Sequence, residues 1–196
     1  MSSGFTWAKN AAHLLGVCPP SLVSPRARIA PTAGATAFKN FFTISGSGCF
    51  FSNYQLFHGF TAGTTDMICL TVSGGRNVFD SVHAAGMGDT DHASADDAGS
   101  RSLKIITTGE NRFKSCVIGV DTVTRSAANA SLEFGGVGNP RNTFEDCIFP
   151  FMTSSATVLG IKVGAAAASD RWQCFTRCQF LNNLGSGSTQ MTALAT

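Results

Sequence analysis

Residues Arg141–Phe151 read RNTFEDCIFPF. An Asn stands two places before a Phe, a Cys three places after it, and two carboxylates lie between them. The stretch is either a reactive thiol beside acids or one unit of a repeat, and the rest of the chain decides between the two. RNVFDSV starts at Arg76, ENRFKSCVI at Glu110 and RWQCFTRCQF at Arg171. Their shared aromatics, Phe79, Phe113, Phe144 and Phe175, are 34, 31 and 31 residues apart. A weaker copy, GCFFSNYQLF, places Phe51 28 residues before Phe79. Cys116, Cys147 and Cys178 follow their aromatics by three, and Asn77, Asn111 and Asn142 precede theirs by two. RNTFEDCIFPF is therefore one unit of a repeat.

Each unit is preceded by a short alternating run: FFTIS, ICLTVSG, SLKIITTG, ASLEFGG or LGIKVG. Period-2 alternation predicts strands with one face buried. Lys104, Glu133 and Lys162 fall between apolar neighbours, which predicts that they meet solvent on the other face. The Ala165–Ala168 run, with Gly164 before it and Ser-Asp after it, reads as a loop. A period of roughly 30 residues with short strands and no helix predicts a β-solenoid, whose coils bury a continuous core by stacking. The four phenylalanines should then stack as a ladder beside a column of cysteines. The asparagines should take a corner, where Asn tolerates a left-handed backbone and bonds the backbone. The inserted loops, AAGMGDTDHASADDAGSRS (Ala84–Ser102) the longest, follow the same strand in successive units and should emerge on one side.

Composition agrees with a packed β structure. The chain of 196 residues carries 16 Phe against one Tyr and only 13% charged residues, against about 25% in typical domains. A net charge of +2 without a basic cluster gives no nucleic-acid footprint. No window approaches the roughly 18 apolar residues of a membrane helix, and MSSGFTWAKNAAHLLGVCPPSLV lacks signal-peptide organisation. The seven cysteines, Cys18, Cys49, Cys69, Cys116, Cys147, Cys174 and Cys178, form no CxxC pair. They are expected as free thiols of a protein made in a reducing cytosol.

Polar clusters are few. Asp89, Asp91, Asp96 and Asp97, with His92 among them, form the densest set and are weak candidates for a Ca²⁺ or transition-metal site. Their order is not that of an EF-hand, and the surrounding Ala, Ser and Gly suit a solvated loop. Asp80, Glu110, Glu133, Glu145 and Asp146 are the carboxylates on coil faces. Asp80 and Glu145 share one repeat position with Lys114 and Thr176, which predicts a solvent-facing ladder with cross-coil pairing rather than catalysis. Cys147 has no histidine recurring beside it, so it is expected to pack rather than react. His58 and His83 are expected in turns. No cofactor motif is found.

HLLGVCPPSLVSPRARIAP, GCFFSNYQLFHGF, ENRFKSCVIGVDTVTRSAANASLEF and RNTFEDCIFPFMTSSAT resemble right-handed parallel β-helix, pectin-lyase-like structural proteins of tailed bacteriophages. IGVDTVTRSAANASLEF is the most specific part. The resemblance implies an all-β, right-handed parallel β-helix of about five to six coils. Residues 1–40 would form a leading coil or cap, 41–183 the coils, and 184–196 a tail or incomplete last coil. PPSLVSPRARIAP is too proline-rich for central strands and should cross the end of the stack. The resemblance further implies a non-enzymatic virion protein assembled in the bacterial host cytoplasm. It would decorate or cement the capsid by binding the major capsid protein or other virion proteins, and would form a trimer. No catalytic residue carries over. The alternatives are a tail-fibre or tailspike-type module that binds or cleaves polysaccharide, and a Ca²⁺-dependent carbohydrate lyase. An uncovered end of the stack would expose strand edges unless another chain covers them.

Overall fold

The computed structural model describes residues 3–17, 27–32, 38–59, 66–87 and 97–183, and the backbone of 192–195. The first coil holds β1 (Phe5–Trp7), β2 (Leu14–Leu15) and β3 (Arg28–Ile29). The second holds β4 (Asn40–Ile44), β5 (Phe50–Ser52) and β6 (Gln55–Phe57). The third holds β7 (Ile68–Val72), β8 (Val78–Asp80) and β9 (His83–Ala85). The fourth holds β10 (Arg101–Ile106), β11 (Arg112–Lys114) and β12 (Val117–Ile118). The fifth holds β13 (Ala130–Gly135), β14 (Thr143–Glu145) and β15 (Ile148–Phe151). The sixth holds β16 (Leu159–Val163), β17 (Cys174–Thr176) and β18 (Gln179–Asn182), and β19 (Thr192–Ala195) follows.

Every pairing is parallel and joins neighbouring coils. The result is three sheets of seven, six and six strands. The chain is thus the expected all-β, right-handed parallel β-helix. The connections from the third sheet to the first, the longest inserted loop among them, all lie at one corner of the coil, while the long connection from β2 to β3 joins the second sheet to the third. Of the proline-rich stretch, residues 19–26, and with them its expected path across the end of the stack, lie outside the described residues, while Arg28–Ile29 within it form β3, an edge strand of the third sheet. Ala166–Ala168 forms a single 3-10 turn in a connection.

Phe51, Phe79, Phe113, Phe144 and Phe175 stack along the interior. Successive centroids are 5.1, 4.5, 4.8 and 4.7 Å apart, and from Phe79 onward the planes lie within 5° of parallel. That spacing follows from the roughly 4.8 Å between paired strands, which brings in-register rings into contact. The thiols of Cys116, Cys147 and Cys178 each donate to the carbonyl of the preceding coil's ladder phenylalanine, at 3.5 Å in each case.

The asparagines sit at a corner and bond the backbone as expected, but the left-handed conformation falls elsewhere. The left-handed residues are not the asparagines but those just before them: Arg76, Glu110 and Arg141, with φ of 58°, 60° and 52°. The second corner repeats the device at Asn53, Ser81, Ser115, Asp146 and Arg177, with φ between 51° and 60°. Both corners turn too sharply for continuous extended backbone, so one residue per corner adopts the left-handed conformation. The asparagines serve the next need, which is a partner for backbone N–H groups buried by the turn.

A second correction concerns the first sheet. Glu133 lies on its outer face but is buried rather than solvent-facing. The connections after the third sheet fold back over this face. A β-carbon at Gly86 would lie 2.7 Å from Ser102 Cα, and one at Gly119 would lie 2.9 Å from Ser131 Oγ. Glu133 itself lies against Gly135 and Gly164, whose β-carbons would stand 3.1 and 3.5 Å from its Oε1, and accepts from Arg101 Nε at 2.5 Å and from Lys104 Nζ at 2.8 Å. Period-2 alternation identified the outward face but held no information about the loops that cover it.

Candidate functional site

The outer faces of the second and third sheets differ in chemistry. Beside the second sheet runs a ribbon of ion pairs. Arg76 and Arg141 both reach Glu110, at 2.7 and 2.9 Å. Arg112 and Arg177 both reach Glu145, at 2.6 and 2.9 Å, and Arg177 also holds Asp146 at 2.6 Å. Arginine hydrogen bonds hold the Glu110, Glu145 and Asp146 carboxyls below their usual range. They are therefore firmly ionised, the opposite of what a general acid needs. Asp80 accepts from Ser81 Oγ at 3.0 Å.

The third sheet carries a groove. Register sets Arg28, Gln55, His83, Val117 and Ile148 in one column across five coils. Phe57 and Ala85 begin a parallel column that Pro150 and Leu181 complete. Small side chains in mid-column leave a cavity of about 220 Å³, walled by Val120–Thr122. Pro150 creates that wall: it has no N–H to extend the ladder, and pairing of β12 with β15 stops at Val117–Ile148. The chain then leaves the sheet through Gly119, at φ 121°, a value glycine adopts without strain.

At the floor, His83 Nε2 lies 3.0 Å from Gly119 O and Nδ1 lies 2.9 Å from Gln55 Nε2. A carbonyl only accepts, so Nε2 carries the proton and Nδ1 accepts from the Gln55 amide. Burial pushes the His83 imidazole below its ordinary value, opposed by the Gly119 carbonyl and Asp121. Gln55 Oε1 is buried without a hydrogen-bond partner. At one end the Arg28 guanidinium lies over the Phe57 ring, 4.0 Å from its centroid, a cation–π contact that fixes its position.

Of the weak metal candidates, Asp89, Asp91 and Asp96 lie outside the described residues, as does His92. Asp97 accepts from Gly99 N at 2.9 Å. Its carboxyl is pushed up by a hydrogen bond shared with Asp66, whose own is held down by Asp97 and by Lys39. Among the described residues, no group of three or more His, Cys, Asp or Glu side chains is placed to hold a metal. Cys147 is fully buried and donates to Phe113 O and Glu145 O. The adjoining Cys116 side chain holds its thiol below the ordinary value against burial.

His83 is a strand residue of β9, not a turn residue. His58, just beyond β6, is fully buried and stacks on Phe41 at 5.2 Å. The Gln55–His83 pair was not found from sequence, although its separation of 28 residues equals that of Phe51 and Phe79. No protein-family model, curated protein or solved structure matches the chain.

Proposed function

We propose that the chain is a non-enzymatic structural component of a tailed-bacteriophage virion. It would decorate or cement the capsid by binding neighbouring capsid subunits as a trimer. The observation that supports this reading is the state of the coil-face carboxylates. Glu110, Glu133, Glu145 and Asp146 are each tied to an arginine or lysine of a neighbouring coil, and Glu110 and Glu145 are held from the coils on both sides. Such ribbons stiffen a rod and present fixed charge to a partner, whereas a catalytic acid needs a raised pKa in an open cleft. The test is to identify the chain in purified particles by mass spectrometry and locate it by electron microscopy. Absence from the particle overturns the proposal.

The groove favours a second reading, a polysaccharide-binding module. Asp121 and Thr122 give exposed polar groups, and Ile148 and Pro150 give an apolar floor. Titration with host-surface glycans, in the native chain and in Asp121→Ala, tests it. Heat released by the native chain and lost in the variant supports glycan binding, and no heat in either removes it.

A further inference from the structure

Two opposite charges stand apart in the third-sheet groove. Arg28 lines it from the first coil, and Asp121 from the wall that follows β12 in the fourth. That wall reaches towards the sixth coil, where Asn183 Nδ2 lies 3.5 Å from Asp121 O. The two residues are therefore three or more coil steps apart, at about 4.8 Å per step. Both are exposed, and among the described residues neither meets an opposite charge at ion-pair distance. The second sheet differs: Arg76, Arg112, Arg141 and Arg177 each hold a carboxylate of a neighbouring coil. Arg28 is instead held by its face, 4.0 Å from the Phe57 centroid. A guanidinium held in this way keeps its in-plane N–H donors for a carboxylate. His83 adds no charge to the floor, because Gly119 O and the Gln55 amide occupy both of its ring nitrogens.

We propose that the groove binds a glycan carrying both a carboxylate and an ammonium group, the first seated on Arg28 and the second on Asp121. This inference rests on the polysaccharide reading of the groove and narrows its ligand to one charge class. Arg28 donates two parallel N–H groups to the sugar carboxylate, and Asp121 accepts from the ammonium. Thr122 offers its hydroxyl to ring substituents, and the C–H faces of the rings lie on Ile148 and Pro150. A glycan with carboxylates alone suits the site less, because one of them would face Asp121. A peptide with the same two charges also suits it less. The floor strands β6, β9, β12 and β15 are each paired on both edges. They offer no free backbone ladder to an extended chain, and sugar rings need none.

The probes are three tetrasaccharides titrated calorimetrically into the full chain at about pH 5.5, where amino sugars are protonated. Hyaluronan carries carboxylates alone, its fully N-deacetylated form carries carboxylates and ammonium groups, and chitosan carries ammonium groups alone. The doubly charged probe should bind about tenfold more tightly than either of the others, the gain expected of one hydrogen bond to a charged group. Arg28→Gln should erase its advantage over chitosan, and Asp121→Asn its advantage over hyaluronan. Both side chains are exposed, so melting temperatures close to the parent's should show that the variants fold. Equal affinity for the three probes, or a preference that survives both substitutions, overturns the proposal. So does tighter binding of the peptide Glu-Gly-Gly-Gly-Lys than of any glycan. Heat from host-surface glycans without this selectivity overturns it and leaves the polysaccharide reading standing, whereas no heat from any glycan removes both.

Discussion

The backbone N–H of Asn77 donates to Oδ1 of Asn111, 34 residues later, at 3.0 Å. Cys49 N donates in the same way to Asn77 Oδ1 at 2.8 Å, and Asn111 N to Asn142 Oδ1 at 3.1 Å. Each buried amide thus satisfies the corner of the coil before it. Asn111→Ala leaves the buried Asn77 N–H without its acceptor, which costs about 1–3 kcal/mol. Equilibrium urea unfolding of the variant should show that loss at an unchanged m-value.

The second corner holds Ser115 at φ 51°, a conformation that costs an L-residue roughly 1–2 kcal/mol. Ser115→Gly should recover part of that cost, offset by the larger entropy of the unfolded glycine. Ser115→Val should destabilise, because a β-branched side chain fits the left-handed region worst. The predicted order of melting temperatures is Val below Ser, with Gly at or above Ser. A valine variant as stable as the parent would refute the corner's backbone geometry.

The parts legible in the sequence were those that repeat. Phe79, Phe113 and Phe144 recur because each coil must present a ring at one register position, so spacing alone exposed the ladder. The asparagines and their bonds to the backbone were visible for the same reason, but spacing marks a column and does not say which residue of a corner bears the positive φ. Glu133 was misplaced because alternation marks the outward face but not the Arg101 and Lys104 side chains that close over it. The groove escaped for a related reason. Arg28, Gln55, His83, Val117 and Ile148 share a column but not a chemistry, and only the register links them.

Arg101 is almost fully buried, and its Nε bonds Glu133. Burial pushes the Glu133 carboxyl up, but Lys104 and Arg101 overcome it and hold it below its usual range. Glu133→Ala removes the counter-charge of a buried guanidinium, a loss of about 3–5 kcal/mol. Glu133→Gln keeps an acceptor without the charge and should fall between parent and alanine variant. Denaturation midpoints of the three proteins check the order.

His58 makes the stability depend on pH. Burial pushes its pKa down to about 4, against the opposing carbonyl of Phe38. Above the unfolded value of about 6.5, both states are neutral and the native state is fully favoured. As pH falls from there towards 4, the unfolded chain takes up a proton that the folded chain refuses. Stability is then lost, by roughly 3 kcal/mol once both values are passed. His83, also pushed down by burial, acts in the same direction. The carboxyls of Glu133 and Glu145 are held low by their cations, so their contribution disappears at lower pH, as it falls below the unfolded carboxylate range. His58→Phe keeps an aromatic ring against Phe41 and cannot titrate. Unfolding free energies measured from pH 7.5 to 4.5 should therefore fall less steeply in this variant than in the parent. Parallel curves would show that His58 takes up its proton as readily folded as unfolded.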